Sequence, residues 1–187
     1  MPMCAPWVDN PIGRTQIVTS GTRPTGSLRY VGAEIFETDT SRKLLWDGTG
    51  WIVLAEPTQS YTPGINGLTV GNGTLTGRYH RSDGWCDVTV RFALGTTSAV
   101  TGRTSFSLPY ASSTDYNLNG WAAFYEGGGD DRLATILTDG PNVFIDPVDA
   151  SSTYARQALC SSTVPFTWGS SDMIAFAARY RMASRYS

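Results

Sequence analysis

Two stretches of the chain alternate apolar and polar positions with a period of two. In the first, Cys86, Val88, Val90, Phe92 and Leu94 fall on one face, and Asp87, Thr89 and Arg91 on the other. In the second, Ile174, Phe176, Ala178, Tyr180 and Met182 oppose Arg179 and Arg181. This is the pattern of half-buried β-strands. The first is preceded by another strand, joined to it at Ser82–Gly84, and His80 lies there in opposite pleat to Leu75 and Tyr79. Shorter candidate strands cover "TSFSLP", "LNGWAAFYE", "RLATILT" and "NVFIDPV". Turn signals separate them at roughly ten-residue intervals, the spacing of a sandwich or barrel. No stretch holds a 3.6-residue period over ten residues, although "ASSTYARQALC" leaves room for one or two helical turns. The pattern predicts an all-β fold, with residues 57–187 forming an antiparallel β-sandwich of about eight strands, jelly-roll-like in kind.

Ahead of it, "AEIFETDTSRKLLWDGTGWIVL" reads as a small three-stranded β-meander within a unit spanning 30–56. Asp39, Asp47, Gly48 and Gly50 are the residue types tight turns favour, and Phe36, Leu44, Trp46, Trp51 and Val53 are the expected packed side chains. Three strands of about five residues are barely enough for independent stability, so the unit is expected to lean on something else. Residues 1–29 carry Pro2, Pro6, Pro11 and Pro24 with Gly13, Gly21 and Gly26, and show no periodicity. They read as an extended arm, laid along a partner or frayed. "AEPTQSYTPGING", residues 55–67, reads as a linker between meander and sandwich.

Composition narrows the function classes. The 187 residues are 41% hydrophobic, enough for a core, and the net charge of −2 gives no general reason to expect nucleic acid or an anionic membrane as partner. The three cysteines, Cys4, Cys86 and Cys160, form no CxxC or Cys/His cluster, so they read as buried or free thiols, with one disulfide open. The first residues have no basic and no apolar region of a secretory signal, and no apolar run reaches membrane-spanning length. A soluble chain made in a cytoplasm is expected, with no membrane insertion.

Catalytic chemistry finds little to work with. His80 is the single histidine and reads as a solvent-facing structural residue, and no GxSxG occurs. Neither a transition-metal site nor any other cofactor is expected. Glycan cleavage needs two carboxylates across a groove, and Glu126, Asp130 and Asp131 in "FYEGGGDDRLA" are the best local set. They lie across a Gly-rich hairpin tip, where a solvated acidic turn is the ordinary reading. Aromatic side chains at strand ends and loop edges, Tyr110, Trp121, Phe124, Tyr125 and Trp168, could stack on sugars or anchor an interface. Most aromatics of a sandwich are core. Trp121, Tyr125, Glu126, Asp130, Asp131 and Trp168 are thus the candidate ligand or host-surface contacts.

Residues 21–54, "GTRPTGSLRYVGAEIFETDTSRKLLWDGTGWIVL", resemble a segment common in virion proteins of tailed bacteriophages. The matching positions are Thr22, Arg23 and Pro24, then Gly32, Ile35, Glu37, Thr38, Asp39, Thr40, Arg42, Trp46, Asp47, Gly48 and Trp51. The stretch "YTPGINGLTVGNGTLTGRYHRSDGWCDVTVRFALGTT" resembles the opening of a C-terminal β-sandwich in such proteins, and "PFTWGSSDMIAFAARYRMA" its end. Neither motif marks an active site. The resemblance implies a non-enzymatic surface protein of the virion, made in the host cytoplasm. It would be a homotrimer bound to a major capsid or tail protein, with the sandwich outward and host cell-surface glycan as a further candidate partner. Arm and meander would attach it, with Trp7, Val8, Pro11, Ile12, Ile17 and Val18 as the anchoring candidates. Capsid decoration protein, head fibre and receptor-binding tail-fibre knob all fit. No collagen-like shaft or coiled-coil heptad is present, which favours a stubby spike over a long fibre. Two readings from other classes are a free carbohydrate-binding module and, on the three carboxylates alone, a glycan-degrading enzyme.

Overall fold

The structure, a computed structural model, describes residues 15–113, 118–151 and 153–186. The fold is all-β, with a small sheet ahead of a large one that closes into a sandwich. The small sheet holds β1 (Gln16–Val18), β2 (Glu34–Glu37), β3 (Arg42–Trp46) and β4 (Trp51–Ala55) in that order. The last three are the expected meander. The fourth strand comes from the stretch read as arm: β1 pairs in parallel with β2, so that Ile17 lies beside Phe36. Two 3₁₀ turns, Ser20–Thr22 and Gly26–Leu28, carry the chain between them.

The turn chemistry explains the shape of this unit. Asp39 accepts hydrogen bonds from the Ser20 amide at 2.9 Å and the Ser20 hydroxyl at 2.5 Å, tying the arm to the β2–β3 turn. Asp47 accepts from the Thr49 and Gly50 amides, both at 2.9 Å, and so folds the β3–β4 hairpin. Ala33, Ile35, Leu44, Trp51 and Val53 form its core, with Val18 and Trp46 packed against it. Phe36, an expected core residue, faces outward instead. The pleat gives the inner side of β2 to Ile35 and Glu37, and Phe36 is 38% exposed. Glu37 is fully buried and neutralised by the Arg23 guanidinium, whose Nε donates to it, while the Thr40 hydroxyl donates at 2.6 Å.

The large sheet is formed by β5 (Gln59–Tyr61), β6 (Ile65–Thr69), β7 (Thr74–Ser82), β8 (Trp85–Ala93), β9 (Ala99–Ser107), β10 (Leu118–Tyr125), β11 (Arg132–Thr138), β12 (Asn142–Asp149), β13 (Arg156–Gln157) and β14 (Met173–Arg181). Its order is β5-β7-β8-β14-β10-β11-β12-β9-β6, with β13 on the side of β12, and every pairing is antiparallel. Ten strands replace the eight or so expected, because "AEPTQSYTPGING" supplies β5 and the start of β6. The segment 150–160 holds the two-residue strand β13 in place of a helical turn. Asp83 and Gly84 both have positive φ, 48° and 79°, the geometry of the tight hairpin that the Ser82–Gly84 stretch predicts.

The sheet folds over where β10 meets β11, a pairing of only three residues on each side. The apolar faces of β8 and β14 then meet those of β9 and β12 across the core, and Phe106 lies 5.6 Å from Phe176 between ring centroids. All ten residues of the two alternating apolar rows are buried. The open side is narrowed by Tyr61, whose hydroxyl donates to the Ser107 carbonyl at 3.4 Å, and by the Gly64 amide, which donates to the Ser107 hydroxyl at 2.7 Å. Tyr61, Tyr79 and Tyr110 stack edge-to-face at 5.8 and 5.6 Å.

The two sheets are joined by Glu56. It is buried and accepts two hydrogen bonds from Arg81 of β7, at 2.9 Å from Nε and 2.8 Å from a terminal nitrogen. Arg42 of β3 lies 3.0 Å from the same carboxylate, and the Arg81 guanidinium covers the Tyr110 ring at 4.5 Å. Near it, the Asp83 amide donates to the Val53 carbonyl at 2.8 Å and the Ser82 hydroxyl to the Leu54 carbonyl at 3.0 Å. After β14 the chain returns to the small sheet. Arg185 and the Tyr186 hydroxyl donate to Asp47 at 2.7 and 3.2 Å, and Tyr186 pairs with Ile52.

Glu56→Ala should lower the unfolding free energy by about 3–5 kcal/mol, because it strands the buried Arg81 charge. Replacing Glu56 by Leu together with Arg81 by Met should cost much less; urea denaturation of both variants measures the difference. Acid should loosen the small sheet selectively. The Ser20 hydroxyl and amide hold the Asp39 carboxyl below its ordinary value, and the Gly50 and Thr49 amides do the same for Asp47. Their contribution is present above the unfolded pKa and is lost as pH falls through the folded one. Fluorescence of Trp46 and Trp51 should therefore change below about pH 4, at a pH that shifts when Asp39 and Asp47 are both replaced by Asn.

Candidate functional site

Strand directions give the sandwich two poles. β7 and β14 end beside the small sheet, and the turn from β10 to β11 lies at the opposite end. Glu126, Asp130 and Asp131 sit in that distal turn. It is a solvated acidic loop: the Gly129 amide donates to the Glu126 carbonyl at 3.0 Å, and Asp130 lies 3.6 Å from Arg132. The loop is held from below by buried Asp172, which accepts from the Gly127 amide at 2.8 Å and from the Gly169 amide at 2.6 Å.

The other predicted contacts separate into two kinds. Trp168 is engaged in packing: its ring lies 5.4 Å edge-on to Phe124 and 4.7 Å from Phe166, and its N–H donates to the Ser161 carbonyl at 2.9 Å. Phe124 is core, and Tyr110 lies beneath Arg81. Trp121 and Tyr125, by contrast, stand on the outer face of β10, and Trp121 is 54% exposed. Of the anchoring candidates, Ile17 and Val18 belong to β1, with Ile17 outward and Val18 packed on the small core. Trp7, Val8, Pro11 and Ile12 lie outside the described residues.

Trp121 belongs to a surface that the register of four strands builds. Asn119, Arg179, Asp87 and His80 form one row across β10, β14, β8 and β7; Trp121, Ala177, Thr89 and Arg78 form the next; Ala123, Ala175, Arg91 and Thr76 form the third. The centre of the face is therefore low, floored by alanine and threonine, and its sides are high. Two adjoining depressions result, of about 420 and 210 Å³, which share Arg78, Thr89 and Ala177.

The face is cationic on a chain of negative net charge. Asp87 is its one carboxylate, 3.8 Å from Arg179 and 3.8 Å from His80 Nδ1. Arg78 and Arg91 have no carboxylate within 4.0 Å among the described residues, although most other arginines do. The alternation that revealed β8 and β14 already put Arg91 and Arg179 on the outside. What it could not show is that β7 and β10 flank them and bring Arg78 opposite Trp121.

Asp146 is the other polar centre, and it is structural. Fully buried, it accepts from Arg103, from Gln157 at 2.5 Å and from the Cys160 amide at 3.4 Å. Cys86 and Cys160 are buried free thiols, and burial raises each to a pKa of about 11. No group of three or more His, Cys, Asp or Glu residues is placed to hold a metal among the described residues. Comparison of the chain with protein-family models, with characterised proteins and with solved structures gives no match.

Both thiols should stay protonated and unreactive toward a disulfide reagent at pH 8 in the folded protein and react fully in denaturant. Thiol titration with and without urea, in a variant carrying Cys4→Ser, checks this.

Proposed function

We propose that this chain is a structural protein of a tailed-bacteriophage virion, attached through its arm and small sheet and presenting the sandwich outward. The observation that carries the reading is polarity. The small sheet closes one end of the molecule, and the Gly-rich acidic loop marks the other. Large apolar side chains are exposed at the small sheet as well as on the sandwich: Ile17, Leu28, Tyr30, Val31 and Phe36 lie within the small sheet or just before it. Such exposure is what an attachment surface provides.

The resemblance of residues 21–54 supports the same reading, and the motif residues have structural tasks. Arg23 neutralises Glu37, Asp39 holds Ser20, and Asp47 holds both its hairpin and the returning chain. These residues build a small attachment body and perform no chemistry. The protein would be non-enzymatic and trimeric, on the head as a decoration protein or head fibre, or on the tail as a fibre knob.

The test is a truncation lacking residues 1–14, which ends before β1. The expected outcome is an unchanged unfolding midpoint and trimeric mass in sedimentation, with loss of the chain from purified particles. Copy number relative to the major capsid protein on quantitative gels then separates head from tail placement. A monomer whose truncation changes nothing would favour the free carbohydrate-binding module.

A further inference from the structure

We infer that the outer face of β10, β14, β8 and β7 is a binding site for a carboxylate-bearing saccharide, seated between Trp121 and the Arg78–Arg91 pair. The inference deepens the reading of an outward-facing sandwich by naming what that sandwich would bind, and it is tested apart from particle attachment.

The geometry comes from the register. Trp121 and Arg78 stand at the two ends of one row, three strand spacings or roughly 14 Å apart, with Ala177 and Thr89 between them. Small side chains on two neighbouring strands leave a flat floor between raised walls. A pyranose ring is flat, with apolar C–H groups on its faces and hydroxyls around its edge. Its face suits an exposed indole, whose own face is apolar and electron-rich. The depressions, about 420 and 210 Å³, approach the size of small-molecule sites and suit one or two sugar rings.

The charge selects the sugar. An exposed arginine ordinarily offers a forked pair of donors, and among the described residues no carboxylate lies within 4.0 Å of Arg78 to take it. Arg91 stands diagonally opposite on the neighbouring strand, its Nε against the Met173 thioether, and likewise faces no carboxylate. Two guanidiniums over an uncharged floor attract an anion, and a planar carboxylate matches their fork. The adjoining row supplies the polar remainder: Asp87 accepts hydrogen bonds from sugar hydroxyls, and Asn119 both accepts and donates. Asp87 also sets a limit, because its negative charge repels any second anionic group placed at that end. One acidic sugar unit at the Arg78 end beside a neutral one at the Asp87 end is the arrangement the face favours.

Isothermal titration of the full chain tests this with three probes: trigalacturonic acid, a hyaluronan tetrasaccharide and sialyllactose, each against its carboxyl methyl ester. The esters keep the ring shape and remove the charge. At least one acid should bind with a dissociation constant on the order of 0.1–1 mM, and its ester about tenfold more weakly. Arg78→Ala and Trp121→Ala should each weaken binding by about tenfold or more, whereas Asp131→Asn in the distal loop should leave it unchanged. All three positions are exposed, so an unaltered unfolding midpoint is expected for each variant.

Three results would overturn the inference: no binding of any acid at 10-fold above the weakest expected constant, equal binding of acid and ester, or full affinity in Trp121→Ala. A fourth is a fall in oligomer mass when Trp121 or Arg78 is replaced, which would make this face a contact between copies of the chain. Particle incorporation of Trp121→Ala keeps the two readings apart. Normal incorporation without saccharide binding upholds both, and loss of incorporation with binding retained counts against the inference and leaves the attachment question to the truncation.

Discussion

One buried carboxylate lies at the centre of the contacts that join the two sheets. Glu56 sits at the junction of the two sheets, out of water, with Arg81 of the sandwich gripping both its oxygens and Arg42 of the small sheet approaching one of them. A buried charge is costly unless its lone pairs are filled. Here they can be filled only when β3, β4 and β7 are all in place. The pair therefore contributes less through its own strength than through the penalty for any arrangement that separates its partners. The Arg81 guanidinium against the Tyr110 ring extends the constraint into the tyrosine ladder at the sandwich edge.

The small sheet shows the same logic on a smaller scale. Its apolar core is five side chains, too little to order so many residues by burial alone. It draws on three separate parts of the chain: the arm through Arg23 and Ser20, the hairpins of the meander, and the segment after β14 through Arg185 and Tyr186. Acidic residues make each connection, because Glu37, Asp39 and Asp47 can each accept from several donors at once. The "ETDT" and "WDGTGW" stretches thus work as polar clamps, and the motif spacing reflects where two hairpin turns must fall.

Much of this architecture was legible in the sequence. Period-two alternation located β8 and β14 and assigned the buried apolar row of each, because the two faces of those strands differ in polarity; Ala175, also buried, lies on the outer face and falls outside the pattern. Turn residues marked the boundaries of β10, β11 and β12. The reading failed where local pattern and tertiary environment diverge. Phe36 looked like core and is outside, whereas its charged neighbour Glu37 is buried. Arg23, fourteen positions and a chain reversal away, supplies the charge that offsets that burial. Proline and glycine in residues 55–67 suggested a linker, yet that segment supplies two strands, since edge strands tolerate both. Among candidate contacts, Trp121 and Trp168 were equivalent as sequence. One packs on Phe124 and the other stands free because the pleat of β10 turns it outward. The groove beside Trp121 could not be read at all, since it joins strands separated by up to a hundred residues.

The return of Tyr186 to the small sheet has a consequence for biosynthesis. Its ring occupies the space above Gly50, where a Cβ would approach it to 2.5 Å, and its hydroxyl meets a carboxylate 139 positions earlier. Residues that leave the ribosome early must wait for ones that leave late. Glu56 waits likewise for Arg81. A nascent or prematurely ended polypeptide consequently shows its neighbours an unfinished version of the end that emerges first, and only a chain that has been translated through to its returning segment presents the completed form.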